Sequence, residues 1–182
     1  DFLPPDEYRQ ISVSMLSTHD TPNWAAWWEN EAGTVDEALF LRKCRERGID
    51  FGSVKEGLFD ISRSHHGRFR WQDDVSSKEI YIGILGKRVE ELRDFINMYE
   101  NTYHEKEKLW VKLGLKGPMR ERSDAEIVSA ALRMTLASRS VFCIEMLIDY
   151  LYTADIFKGD AYQYRVNKAG TVAKTNWSLS NR

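Results

Sequence analysis

The chain has 182 residues and a formal net charge of −2, from 26 lysines and arginines against 28 aspartates and glutamates. Hydrophobic residues make up 42% and charged residues 30%, which is typical of a globular protein and excludes intrinsic disorder as the default. The balanced charge excludes the strongly basic surface that nucleic acid or an anionic membrane requires. No apolar run approaches the roughly 20 residues that span a bilayer. We therefore expect neither a nucleic-acid nor a membrane partner.

The two cysteines, Cys44 and Cys143, lie far apart and lack the spacing of a zinc site or a redox motif. Reduced thiols in a cytoplasmic protein are the preferred interpretation, and a disulfide is the alternative. Residues 1–7 contain neither the basic nor the apolar region of a signal peptide, and no initiator Met. We therefore expect a cytoplasmic chain that is a piece of a longer one.

A strand, a polar loop and a helix are the first predicted elements. Polar and apolar residues alternate over 11–17, a pattern typical of a strand. The loop 18–22 follows, and we expect a helix over 24–31 that ends near Gly33. The tryptophans of this helix are expected to pack in a core, with stacking on sugar rings as the alternative: Trp24, Trp27 and Trp28.

The middle of the chain is predicted to be mostly helical. A capping box at 34–37 opens a helix that ends at Gly48. Residues 49–77 show no clear period and predict irregular structure. Apolar residues recur every three or four positions over 78–112, which predicts a long amphipathic helix or a broken pair.

One stretch of this region, residues 64–71, is locally basic and aromatic. It could contact a phosphate or a base, but in a chain of balanced charge a solvated or locally packed loop is preferred. The adjacent His65 and His66 cannot easily bind one metal ion. We therefore expect no metal site here.

The last third of the chain repeats a helix and a strand. A second capping box, at 123–126, opens a helix whose expected buried residues are Ile127, Val128, Ala131, Leu132 and Leu136. The apolar run 140–147 predicts a strand buried on both faces, with a helix as the alternative. Glu145 on that strand could line a pocket. From 164 onward the sequence predicts a polar loop.

The dipeptide His19-Asp20 follows the first predicted strand. In α/β barrels the carboxyl ends of the strands bind substrate. A carboxylate there can stabilise developing positive charge, and an imidazole can donate a hydrogen bond to a hydroxyl. From spacing alone, the alternative is that Asp20 caps a helix beginning at Pro22 and that His19 is a turn residue.

Three separate segments of the chain carry a common pattern: residues 2–4 and 16–22 with Trp27-Trp28, residues 130–147, and residues 165–171 with Asn176-Trp177. Together they resemble the 4-alpha-glucanotransferases of glycoside hydrolase family 77. Ala169 departs from the family's pattern, which usually has Pro before the glycine.

The resemblance implies an α/β fold, namely the C-terminal part of a (β/α)8 TIM barrel that contains strands seven and eight. Residues 1–34 would form strand seven and the following helix, and residues 123–182 a helix, strand eight and the closing segment. Residues 35–122 would be a mostly helical insertion. Two strands cannot close a barrel, so the remainder of the catalytic barrel is an expected partner.

The implied activity is the transfer of alpha-1,4-glucan segments between maltooligosaccharides by a retaining double displacement. Asp20 matches the family's transition-state-stabilising carboxylate, and His19 and Asn167 match substrate-binding positions. The family's nucleophile and acid/base match no residue of this sequence, and the chemistry needs neither a cofactor nor a metal. The alternative hypothesis is a non-enzymatic helical interaction module, in which His19-Asp20 is only a helix cap.

Overall fold

The computed structural model describes residues 3–174, 176 and 177, so Phe2 of the first resembling segment lies outside the described residues. Its elements are helices and short strands. The α-helices are α1 (Trp24–Ala26), α2 (Glu37–Arg47), α3 (Phe51–Leu58), α4 (Lys78–Leu85), α5 (Arg93–Thr102), α6 (Glu105–Lys112), α7 (Ala125–Leu136) and α8 (Leu147–Tyr152). The strands are β1 (Val13–Ser14), β2 (Thr34–Asp36), β3 (Phe59–Asp60), β4 (Arg68–Trp71) and β5 (Phe142–Cys143).

The backbone divides into two units. Unit 1 contains residues 1–29 and 106–182, and unit 2 contains Asn30–Glu105. The chain is rich in helix, and each unit contains one small sheet among its described residues. No helix in the described part is both long and apolar enough to cross a membrane. The three-part division at residues 34 and 122 stays a prediction.

Parallel pairing joins the two predicted strand regions of unit 1. Val13 of β1 lies opposite Phe142 of β5, and the Ile144 amide donates to the Ser14 carbonyl at 3.0 Å. Both strands are only two residues long. The expectation that 140–147 forms a strand buried on both faces is wrong, because Phe142 is 62% exposed and Leu147 already begins α8.

The core of unit 1 forms between the segment after β1 and helices α6 and α7. As predicted, residues 24–31 are helical, with α1 continuing as a π-helical turn over Trp27–Glu31. Trp24 and Trp28 are buried there, as expected of core residues, and Trp27 packs against them. The helix after the second capping box is also confirmed, but Leu136, its last residue, is exposed.

Unit 2 contains a three-stranded antiparallel sheet in the order β2-β4-β3. Residues 49–77, predicted to be irregular, hold α3, β3 and β4. The capping box at 34–37 also differs from prediction. Thr34 lies in β2, and Asp36 caps α2 by accepting a hydrogen bond from the Leu39 amide at 2.7 Å. Strands this short show little periodicity, and the pairing of β2 with β4 is set by residues about 34 positions apart.

Aromatic rings fill the core of unit 2. Phe40 of α2 packs edge-on against Phe59 and Phe95, with ring centroids 4.9 and 5.3 Å apart. The region 78–112, predicted to be a long amphipathic helix or a broken pair, is mostly helical but is divided into three helices, α4, α5 and α6. Gly86, with a φ of +63°, ends α4 in the left-handed conformation that glycine adopts without strain. Gly48 ends α2 in the same way, as predicted.

Candidate active site

His19 and Asp20 lie in a tight turn a few residues after β1. The Thr21 amide donates to the Thr18 carbonyl at 3.2 Å, and the Thr18 amide donates to the Thr21 hydroxyl at 2.8 Å. The side chains of His19 and Asp20 are 52% and 53% exposed, and His19 Nε2 lies 3.3 Å from Asp20 Oδ2. The turn therefore presents a carboxylate and an imidazole side by side to solvent.

The helix that follows this turn is capped by Asn23 and not by Asp20. Asn23 Oδ1 accepts a hydrogen bond from the Ala26 amide at 2.9 Å, and its Nδ2 donates to the Ala161 carbonyl at 3.1 Å. The helix begins at Trp24, so Pro22 lies ahead of the cap and not at the first helical position. The alternative role of Asp20 as a helix cap is therefore wrong.

Asn167, predicted from the closing segment, reaches Asp20 across about 147 positions of sequence. Its Nδ2 donates to Asp20 Oδ1 at 2.8 Å. Arg165 supports the same contact, because its Nη2 donates to the Asp20 carbonyl at 3.1 Å and its Nε to the Asn167 carbonyl at 3.3 Å. The structure thus brings together all three predicted site residues and adds a guanidinium that holds the backbone of two of them.

An exposed indole lies beside His19. The ring of Trp177 lies 5.1 Å from that of His19, tilted by 37°, and is 65% exposed. Its amide donates to the Val166 carbonyl at 2.6 Å. Trp177 belongs to the Asn176-Trp177 pair of the third resembling segment, but it was not predicted from the sequence as a site residue. Its ring provides the flat apolar surface that sugar rings stack on.

A fully buried carboxylate lies beneath the turn. Asp149 of α8 accepts hydrogen bonds from the Ser17 hydroxyl at 2.5 Å and from the Trp24 amide at 2.8 Å. Burial raises the pKa of Asp149 above its ordinary value. Sequence reasoning missed this residue. The sequence feature that could have identified Asp149 is its position as an acidic residue within the apolar stretch 146–151.

Glu145, which could have lined a pocket, uses both carboxylate oxygens within the scaffold. Its Oε2 accepts a hydrogen bond from the Leu16 amide at 2.8 Å, and its Oε1 accepts one from the Thr135 hydroxyl. Glu145 therefore ties the end of β1 to α7. These contacts favour a structural role for this carboxylate.

The local chemistry suits stabilisation of a cation or binding of hydroxyl groups. The carboxylate of Asp20 has one oxygen fixed by an amide and is open to solvent, so it can accept hydrogen bonds or face a developing positive charge. Within the described ranges, no group of three or more His, Cys, Asp or Glu side chains could hold a metal ion. Cys44 and Cys143 are both free thiols.

Comparison with known proteins identifies one family. A family model described as 4-alpha-glucanotransferase, of glycoside hydrolase family 77, matches residues 1–181. No curated protein and no solved structure gives a significant match to the chain. The family match covers nearly the whole sequence, including both units.

Proposed function

The chain belongs to the 4-alpha-glucanotransferases of glycoside hydrolase family 77, and from this premise we propose that Asp20 stabilises the transition state of glucan transfer. The single observation that carries the proposal is that the Asp20 carboxylate is oriented by a hydrogen bond and is still open to solvent. Asp20 is half exposed and held by Asn167, while Asn23 caps the adjacent helix. A carboxylate that is oriented but open is available to substrate.

The proposed reaction is a retaining double displacement on an alpha-1,4-linked glucan. A nucleophilic carboxylate and an acid/base flank the scissile bond, and both steps pass through an oxocarbenium-like transition state. Those two groups belong to barrel strands outside residues 1–182. Asp20 faces the positive charge that develops on the sugar ring, and a fixed negative charge there lowers the barrier because it requires no reorganisation.

His19 and Asn167 have supporting roles in this proposal. His19 donates a hydrogen bond to a sugar hydroxyl, from a position 3.3 Å from Asp20 Oδ2. Asn167 contacts the substrate and also orients Asp20 through its hydrogen bond to Oδ1. The exposed ring of Trp177 beside His19 is suited to stacking on a sugar face. An acceptor glucan held there would compete with water for the covalent intermediate.

We further propose that β1 and β5 belong to strands seven and eight of the catalytic barrel. Their parallel pairing is the arrangement that neighbouring barrel strands have. Ile11 is 94% exposed and Val13 and Phe142 are also exposed, while Ser14, which follows Val13 in β1, is buried. An apolar strand face open to solvent is unfavourable, so its exposure supports further strands of the barrel as the partner that covers it.

Family membership favours an enzyme over the alternative of a helical interaction module. In that alternative, His19-Asp20 would serve only to cap a helix, and Asn23 has that role instead. The substrate class that follows from the family is an alpha-glucan. We propose maltooligosaccharides as donor and acceptor.

The test is a transfer assay on the full-length protein that contains these residues. The wild type incubated with maltotriose should give a ladder of longer and shorter maltooligosaccharides on thin-layer chromatography. Asp20→Asn should reduce the rate by about 10²–10³-fold, since removal of one preorganised electrostatic group has effects of that size. Circular dichroism and the unfolding midpoint should stay at wild-type values.

The matched control is Asp155→Asn, because Asp155 is an exposed carboxylate of the same unit whose contact is a 3.8 Å pair with Lys158. It should leave the ladder unchanged. Near-normal turnover in Asp20→Asn would show that this carboxylate does not stabilise the transition state. Absence of any ladder from the wild type would contradict the transferase activity itself.

A further inference from the structure

Asp149 is the one carboxylate among the described residues of unit 1 that is completely buried. Its two oxygens accept hydrogen bonds from opposite ends of one segment. Oδ2 accepts from the hydroxyl of Ser17, and Oδ1 accepts from the amide of Trp24. His19 and Asp20 lie between those two ends.

We propose that Asp149 is a positioning residue for glucan transfer, which fixes both ends of residues 17–24 and thereby sets the location of the Asp20 carboxylate. The inference rests on the proposed function of Asp20. Asp149 itself does not touch the reacting sugar in this proposal. It acts through the backbone of the segment that carries Asp20.

The contacts inside the segment are too local to set its position alone. Thr18 and Thr21 bond each other across the turn and fix its shape. Asp149 connects the two ends of the segment to α8, at Ser17 and at Trp24. Other connections to the unit are made by Asn23 to the Ala161 carbonyl and by the closing segment at His19 and Asp20. A shift of about 1 Å in a catalytic group can cost about 10²-fold in rate. Loss of the end contacts therefore affects the rate more than the affinity for substrate.

The chemistry of a carboxylate explains why an acidic residue suits this position. The Trp24 amide can only donate, so its partner must be an acceptor, whereas the Ser17 hydroxyl can donate or accept. An asparagine can meet both needs, with Oδ1 toward Trp24 and Nδ2 toward Ser17. A leucine of similar size meets neither and leaves the Trp24 amide without its acceptor.

The experiment measures kcat and KM for transfer from maltotriose in four variants of the full-length protein. Asp149→Leu should lower kcat by about 100-fold with KM within about threefold of wild type. Ser17→Ala, which removes one end contact, should lower kcat by about tenfold. Asp149→Asn should restore kcat to within about threefold of wild type, because both hydrogen bonds can re-form.

The fourth variant, Lys106→Met, separates positioning from general loss of stability. Lys106 is a buried polar residue of the same unit, and its ammonium lies 2.6 Å from Glu121 and 5.8 Å from the centre of the Trp28 ring, both outside residues 17–24. It should lower the unfolding midpoint and leave kcat unchanged. A wild-type kcat in folded Asp149→Leu would overturn the proposal, and so would a loss in Lys106→Met equal to that in Asp149→Leu. If Asp149→Leu does not fold, an unchanged kcat in Ser17→Ala overturns it.

Hydrogen exchange distinguishes failure of this inference from failure of the proposed function. Peptides that cover residues 17–24 should exchange at least about tenfold faster in Ser17→Ala than in wild type, and peptides from 30–105 should be unchanged. This readout needs no activity. Faster exchange together with an active Asp20→Asn would refute the role of Asp20 but retain the anchoring by Asp149. Unchanged exchange in 17–24 would refute the anchoring even where Asp20 proves essential.

Discussion

The two units bury their apolar side chains to different extents. In unit 2, Phe40 and Tyr81 are completely buried in an aromatic core built around an antiparallel sheet. In unit 1, β1 and β5 pair in parallel and leave Ile11 and Phe142 largely exposed. The antiparallel sheet is formed by one continuous stretch of the chain, residues 34–71, whereas parallel strands are normally buried on both faces. Both units have a buried core, but only unit 2 also buries the apolar side chains of its sheet.

The largest expected effect contrasts the same substitution in the two units. Phe40→Ala should lower the free energy of unfolding of unit 2 by about 3–5 kcal/mol, because a buried ring is replaced by a cavity. Phe142→Ala should change stability by less than about 0.5 kcal/mol in the 182-residue chain, since its ring is mostly exposed. Urea unfolding combined with hydrogen exchange of peptides from each unit measures both.

The same pair of variants can also test the proposed barrel. If further strands cover β5 in the full-length protein, Phe142→Ala should cost about 3 kcal/mol or more there, because the ring is then buried. An equally small effect in both proteins would contradict that covering. A small effect of Phe40→Ala would contradict the closed core of unit 2.

A second, smaller contrast concerns the helix caps. Asn23→Ala should cost about 2–3 kcal/mol, because it removes the cap of the Trp24 helix and leaves the Ala161 carbonyl without its buried donor. Asp36→Ala in unit 2 should cost about 1 kcal/mol, because Asp36 is half exposed and its contacts are the Leu39 amide and a 3.7 Å surface pair with Arg68, which adds little. Thermal unfolding and hydrogen exchange of each unit give these values, and equal costs would contradict the difference in burial.

The smallest expected effect is a difference in pH dependence. Burial raises the pKa values of Glu29 and Asp149 in unit 1. In unit 2, hydrogen bonds from Lys43 to Asp94 and from Ser62 to Asp60 lower the pKa values of those carboxyls. A carboxyl whose pKa is raised by folding binds more protons in the folded state. Its contribution to the stability of that state is therefore complete below its ordinary pKa and is lost as the pH rises through the folded-state pKa. A carboxyl whose pKa is lowered by folding contributes stability above its ordinary pKa and loses that contribution as the pH falls through the folded-state pKa.

Unit 1 should therefore gain stability relative to unit 2 as the pH falls from about 6 to about 3.5. Hydrogen exchange of peptides from each unit, corrected for the intrinsic rate, measures the two trends in one sample. In Asp149→Asn, the pH dependence of unit 1 should become flatter. Parallel trends in both units would show that these carboxyls do not control their stability.

Features set by neighbouring residues could be predicted from the sequence. Gly48 ends α2 in the left-handed conformation, and a helix begins after Ser123, although its cap is Asp124 and not Ser123, the residue that the predicted capping box requires. The strand positions before Asp20 and around Phe142 were also predicted, although each strand is shorter than expected. Each of these signals depends on a few adjacent side chains and backbone groups.

The sequence alone also indicated the family, the adjacent imidazole and carboxylate at positions 19 and 20, and Asn167 as a candidate site residue, but not the contact between Asn167 and Asp20. Tertiary structure decided that Asn23 and not Asp20 caps the helix, that Arg165 holds the turn, and that Asp149 anchors both ends of it. Arg165 and Asp149 contact the turn from more than a hundred positions away. Such partners follow from how helices and strands pack and not from local spacing, because a hydrogen bond depends on distance in space and leaves no period in the sequence.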